Sequence, residues 1–172
     1  MNMNPDFFEI QKFTQTWVLA ILILVVLLMA RFVFRLLKDE KIRKINPLFF
    51  LIFLIPLAAV FLTFSMRLET RIDRSGISYR FYPLHMKAAR IDWGTIDSVY
   101  IREYNPSKEY GGWGIRDGKS GRAYNVSGNT GLQIIFKDKD KERLLIGTIK
   151  PAEMKKVLED LSSTGQIRCY YP

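Results

Sequence analysis

Two textures divide the chain. Phe13 to Ala30 is 18 residues without a charge, and Ile45 to Met66 is 22 more. Each is near the roughly 20 residues that cross a hydrocarbon core of about 30 Å. Leu, Ile, Val and Phe dominate both runs, and on the insertion scale such residues favour the bilayer by roughly 0.3 to 0.6 kcal/mol each. The remaining chain is too short to enclose two helices that are apolar on every side. The pattern therefore predicts two transmembrane helices, about 13–36 and 46–66, after an N-terminal tail over 1–12. Trp17 stands at interfacial depth, and Arg31 and Arg35 stand where their stems snorkel. The connector adds Lys38, Lys41, Arg43 and Lys44. "MNMNPDFFEIQK" has too few basic residues for a signal peptide.

From Arg67 the period changes to two. "TRIDRSGISYRFYP" alternates around a Ser75-Gly76 turn, and "KAARIDW", "SVYIREY", "LQIIFKD" and "RLLIGTI" are further short strands. Pro151 opens "PAEMKKVLEDLSS", whose Met154, Val157, Leu158 and Leu161 make one apolar stripe. The expectation is a mainly-β domain over 67–162 of about seven antiparallel strands, closed by a C-terminal helix over about 151–162, with a tail over 163–172.

Residues 109–134 hold seven of the eleven glycines. A phosphate loop needs glycines that lead into a helix N-terminus, and here they lead into β-type residues. The stretch reads instead as a hairpin with Trp113 and Ile115 facing Tyr124 and Val126 across "DGKSG". Gly118 is expected in the turn at positive φ.

"GISYRFYP", "IDWGTIDSVYIREYNP", "EYGGWGIR", "GRAYNVSGNTGLQI" and "LLIGTIKPAEM" carry a resemblance. They resemble an uncharacterised family of bacterial membrane proteins with a two-helix transmembrane hairpin and a bacterial pleckstrin-homology-like (PH-like) domain. The resemblance covers most of 10–162 and implies a bent sheet or barrel of seven strands. Basic residues tie at five on each side of the hairpin, so the positive-inside rule gives no orientation. The resemblance implies an inner-membrane, multi-pass protein whose β domain faces the cytoplasm.

Charge narrows the function. The chain is +9 overall, with 19 basic and 13 acidic residues from Arg67 onward. Arg67, Arg71 and Arg74 follow the second apolar run and suit contact with an anionic leaflet. Tyr110, Trp113, Arg116, Lys119 and Arg122 combine apolar area with cationic donors and form the candidate interaction surface. One cysteine, Cys169, and one histidine, His85, leave no zinc constellation within a chain. His85 has no nearby nucleophile or carboxylate cluster, and Asp92 and Asp97 read as turn and cap residues. The expected role is a non-enzymatic membrane protein presenting a binding or scaffolding domain, without catalytic residues, cofactor, metal or nucleic acid. The expected partners are the bilayer and a membrane or cytosolic protein. The alternative is a module that binds anionic lipid headgroups.

Overall fold

A computed structural model describes residues 7–13, 16–38, 48–138, 140, 143–163 and 165. The chain divides into two compact units, residues 14–65 and the rest. The basic connector residues Lys41, Arg43 and Lys44, Lys139, Lys141 and Glu142 of the "KDKDKE" loop, and Cys169 lie outside the described residues, as does the side chain of Trp17.

The first unit contains helices α1 (Thr16–Leu37) and α2 (Leu48–Ser65). Among the described residues no helix is long and apolar enough to cross a membrane. That finding overturns the expected transmembrane hairpin and the multi-pass inner-membrane location. α2 is described over the 18 residues Leu48–Ser65, and Ile45 to Pro47 of the apolar run lie outside the described residues. In the longer α1, Arg31 and Arg35 fall inside the helix and leave only Thr16 to Ala30 free of charge.

The second unit departs from the expected seven antiparallel strands. Among the described residues it is a mixed α/β unit with nine strands in two sheets. The first sheet is ordered β1 (Phe7–Lys12), β2 (Arg67–Asp73), β3 (Gly76–Tyr82), β4 (Ala89–Asp92). The second contains β5 (Ile96–Glu103), β6 (Gly114–Gly118), β7 (Gly121–Asn125), β8 (Thr130–Phe136) and β9 (Leu144–Gly147), in the order β5-β8-β9-β7-β6. One pairing is parallel: Arg122, Ala123 and Tyr124 of β7 lie opposite Leu144, Leu145 and Ile146 of β9. A one-turn helix α3 (Pro106–Tyr110) precedes β6, and α4 (Pro151–Ser163) closes the unit. Met154, Leu158 and Leu161 of α4 share one core with Leu68, Ile72, Ile77 and Phe81 of the first sheet and Val99, Leu132, Ile134 and Ile146 of the second. The Trp93 indole N–H donates to the Asp73 carbonyl at 2.9 Å, which ties the β4–β5 connection to the end of β2.

The added strand is β1, from residues read as a tail. Its alternation is inverted. The inward side chains are Phe7, Glu9 and Gln11, and the outward ones are Phe8, Ile10 and Lys12. Glu9 is 2% exposed, and its carboxylate accepts from the Thr148 hydroxyl at 2.7 Å and the Ile149 N–H at 2.8 Å. Gln11 donates from Nε2 to the Gly147 carbonyl at 2.5 Å. The Glu9 carboxylate and the Gln11 amide nitrogen thus have the partners that burial demands, while Gln11 Oε1 is buried without one, and these bonds fasten β1 to the β9–α4 connection. Lys12 lies opposite Arg67, so residues 14–65 are inserted between two paired strands.

Candidate functional site

The glycine-rich hairpin forms as the alternation implies. Ile115 lies opposite Tyr124, and Lys119 and Ser120 form the turn. The reason for Gly118 is different from the expected one. Its φ is not positive. A Cβ there would meet the Glu109 carbonyl and approach Tyr110 Cδ1 to 2.8 Å. The hairpin is rigidly held: the Trp113 indole donates to the Gly128 carbonyl at 3.1 Å, and the Gly114 N–H donates to Asn125 Oδ1 at 2.8 Å.

The five candidate residues do not form one surface. Tyr110 is 3% exposed and packs edge-on against Tyr104, with ring centroids 5.9 Å apart. Arg116 lies opposite Ala123 and Arg122 opposite Asp117, so the two arginines project from opposite faces of the hairpin. Arg122 is joined to Asp117 at 2.6 Å, and Arg116 donates to the Trp113 carbonyl at 3.1 Å. Lys119 is exposed at the tip.

Tyr110 is buried because "NPSKEYG" is a capped helical turn. Asn105 accepts from the Lys108 N–H at 3.0 Å, Pro106 occupies the first turn, and Gly111 ends it at φ +73°. Glu109 accepts from the Asn105 N–H at 2.8 Å and from Arg102 Nη2 at 2.8 Å. The Arg102 hydrogen bond, opposed by partial burial, holds the Glu109 carboxyl below the ordinary glutamate range. A depressed acid stabilises the fold above its unfolded pKa and loses that contribution as pH falls through the folded value. Glu109→Gln is therefore expected to lower the melting temperature at pH 7, with the gap from wild type closing below about pH 4. Melts across that range test this; a gap independent of pH refutes the charge argument.

A surface that the alternation concealed lies on the outer face of the first sheet. Strand register places Phe8, Ile10 and Lys12 beside Arg67, Glu69, Arg71 and Asp73, then Ser78, Arg80 and Tyr82, then Arg90 and Asp92. Glu69 sits between two cations: Arg67 Nε at 2.7 Å, and Arg80 Nε and Nη2 at 2.9 and 2.6 Å. The Arg67 guanidinium also lies 4.6 Å above the centre of the Tyr82 ring. Arg71 faces Asp73 at 3.6 Å, and Arg90 reaches Asp73 and Asp92. Partial burial alone would raise the Asp73 pKa, but hydrogen bonds from Ser75 and the charges of Arg90 and Arg71 bring it below its ordinary value. Five cations against three carboxylates leave the face positive. Arg67 and Arg71 of the expected membrane-contact set belong to it, while Arg74 is exposed in the β2–β3 turn. A depression of about 230 Å³ opens between Phe8, Arg71, Ser78, Arg80 and Ala88. Phe8 and Ile10 are 58% and 45% exposed. The signal for this face was the spacing of Phe8 and Ile10 two residues apart, next to an acid at Glu9.

Burial pushes the Tyr79 and Tyr104 phenols up to about 12, so both stay protonated at neutral pH. His85 stacks at a tilt on Tyr124 with centroids 5.6 Å apart. Asp92 precedes a 3-10 turn (Trp93–Thr95) without capping it through its side chain, and Asp97 is exposed. Among the described residues no three His, Cys, Asp or Glu side chains converge as metal ligands.

No family model, no curated protein and no solved structure matches the chain. The resemblance to a family of PH-like membrane proteins is accordingly overturned, since neither a family match nor a membrane-spanning helix among the described residues supports it.

Proposed function

We propose that the β unit is a non-enzymatic binding or scaffolding module that docks an acidic segment of a protein partner on the outer face of its four-stranded sheet. The observation that carries this reading is the depression between Phe8, Arg71, Ser78, Arg80 and Ala88, where exposed aromatic area adjoins guanidinium groups held in order by Glu69 and Asp73. Arginine beside an aromatic ring is the composition of interface anchors, and guanidinium donors suit carboxylates. Ordering the arginines in advance lowers the entropy lost on docking.

A photo-crosslinking residue at Ser78 in the full chain, compared with one at the exposed Glu153 of α4, tests the reading. The expected result is a discrete protein adduct at Ser78 alone, weakened at least tenfold by Phe8→Ala with Arg71→Ala, with the melting temperature little changed. Equal adducts at both positions, or none at Ser78, refute it. Adducts replaced by salt-sensitive binding to vesicles containing phosphatidylserine assign the cations to anionic headgroups instead.

A further inference from the structure

The order β1-β2-β3-β4 leaves one side of β1 unpaired among the described residues. Such an edge offers alternate backbone N–H and C=O groups to another strand. Proteins blunt long edges with proline, bulges, inward charges or very short strands. β1 has little of this protection. Its register with β2 runs without a bulge from Phe7 opposite Ile72 to Lys12 opposite Arg67. Its inward charge, Glu9, is consumed by Thr148 and Ile149, and its outward side chains Phe8 and Ile10 are exposed.

We propose that β1 is an interface between two copies of this chain, paired antiparallel about a two-fold axis at Ile10. The segment "FFEIQKF" over 7–13 complements itself when reversed. With the axis at Ile10, Ile10 faces its own copy, Phe8 faces Lys12, Glu9 faces Gln11 and Phe7 faces Phe13. Apolar meets apolar, the lysine stem covers a ring, and no like charges oppose each other. An axis at Glu9 sets two buried carboxylates opposite each other. An axis between residues sets inward side chains against outward ones, which the pleat forbids. An axis at Gln11 sets Glu9 opposite Phe13, and an axis at Phe8 sets it opposite Phe7, so the axis at Ile10 is the register with the best-matched pairs. The pairing joins two four-stranded sheets into one of eight, and the two-fold closes the contact so that it does not propagate. A single strand pair buries less than the roughly 1,200 Å² of a standard stable interface, so the dimer forms and dissociates with concentration. It does not depend on the docking reading, because it rests on the backbone edge, although Phe8 lines both the pair and the depression.

The test uses the full chain with Cys169→Ser. Ile10→Cys is expected to form a disulfide-linked dimer under mild oxidation, since directly opposed strand residues lie within disulfide reach. Phe8→Cys alone is expected to cross-link at least tenfold less, but to form a mixed dimer with Lys12→Cys. Ile10→Lys, which places two cations opposite each other, should shift sedimentation toward monomer with an unchanged melt. Cross-linking of Phe8→Cys to itself as efficiently as Ile10→Cys overturns the register. No Ile10→Cys dimer above that background, or a dimer unaffected by Ile10→Lys, overturns the interface.

Discussion

A chain that begins at Arg67 is expected to lack a cooperative unfolding transition, whereas residues 7–13 joined to 66–165 through Asn-Gly should melt as one unit. Losing β1 removes Phe7, which is 2% exposed in the core; deleting a buried phenylalanine side chain costs about 3–5 kcal/mol. It also strips Glu9 from the Thr148 hydroxyl and the Ile149 N–H, and Gln11 from the Gly147 carbonyl. Polar groups left buried without partners cost roughly 1–3 kcal/mol each. Together these losses are comparable to the whole stability of a domain, about 5–15 kcal/mol. The joined chain keeps all of them, because Lys12 opposite Arg67 positions Phe13 and Met66 for a two-residue turn. Denaturant melts at matched concentration decide the matter. A sharp transition in the chain that starts at Arg67, with a slope fitting its size, means β1 is dispensable.

Gly121→Val is expected to lower the melting temperature of the β unit by about 10 °C or more, from the combined cost of strain and overpacking. Gly121 has φ +101°, where a β-branched residue is strained, and its Cβ would run into the carbonyl of Arg143. That carbonyl accepts from the Arg122 N–H at 2.8 Å, next to the pairing of β7 with β9. Neither side of the contact is a flexible side chain that can swing away. Gly111→Asn is the control. Its φ is +73°, but nothing lies within 4 Å of the added Cβ, and asparagine tolerates the left-handed region. It should change the melt by no more than a few degrees. A melt for Gly121→Val as close to wild type as that of Gly111→Asn means that β7 and β9 do not approach as described.

What the sequence reveals follows the physics of each segment. β2 and β3 bury Leu68 and Ile72, and Ile77 and Phe81, on one face, so period two marks them, and β5 does the same from Val99 onward after a bulge. The pairing of Ile115 with Tyr124 follows from a hairpin with Asp-Gly near its tip. β1 escapes such reading because its buried face carries Glu9 and Gln11, and only the tertiary partners Thr148, Ile149 and Gly147 make that burial tolerable. The parallel β7–β9 pairing depends on a contact between separated segments, which local periodicity does not encode. The cap signature Asn105, Pro106, Gly111 was present in the sequence and identifies α3, which takes Tyr110 off the surface. The cationic face needs the strand register before Arg67, Arg71 and Arg80 converge on it. The length of an apolar run, in turn, does not mark where its helix ends: α1 continues past Ala30 through Arg31 and Arg35 to Leu37, and α2 stops at Ser65.

The insertion between β1 and β2 also sets a timetable. β1 is synthesised well before the strand that covers its inner neighbour side, because β2 follows only after residues 14–65. At about 5–20 residues per second, that interval is roughly 3–10 s, far longer than the microseconds in which an ordinary hairpin closes. During it, the nascent segment "FFEIQKF" presents both edges, and its aromatic side chains lack a sheet to lie on. β1 must thus wait for its partner, and chaperone capture or premature pairing between neighbouring nascent chains competes with the correct closure.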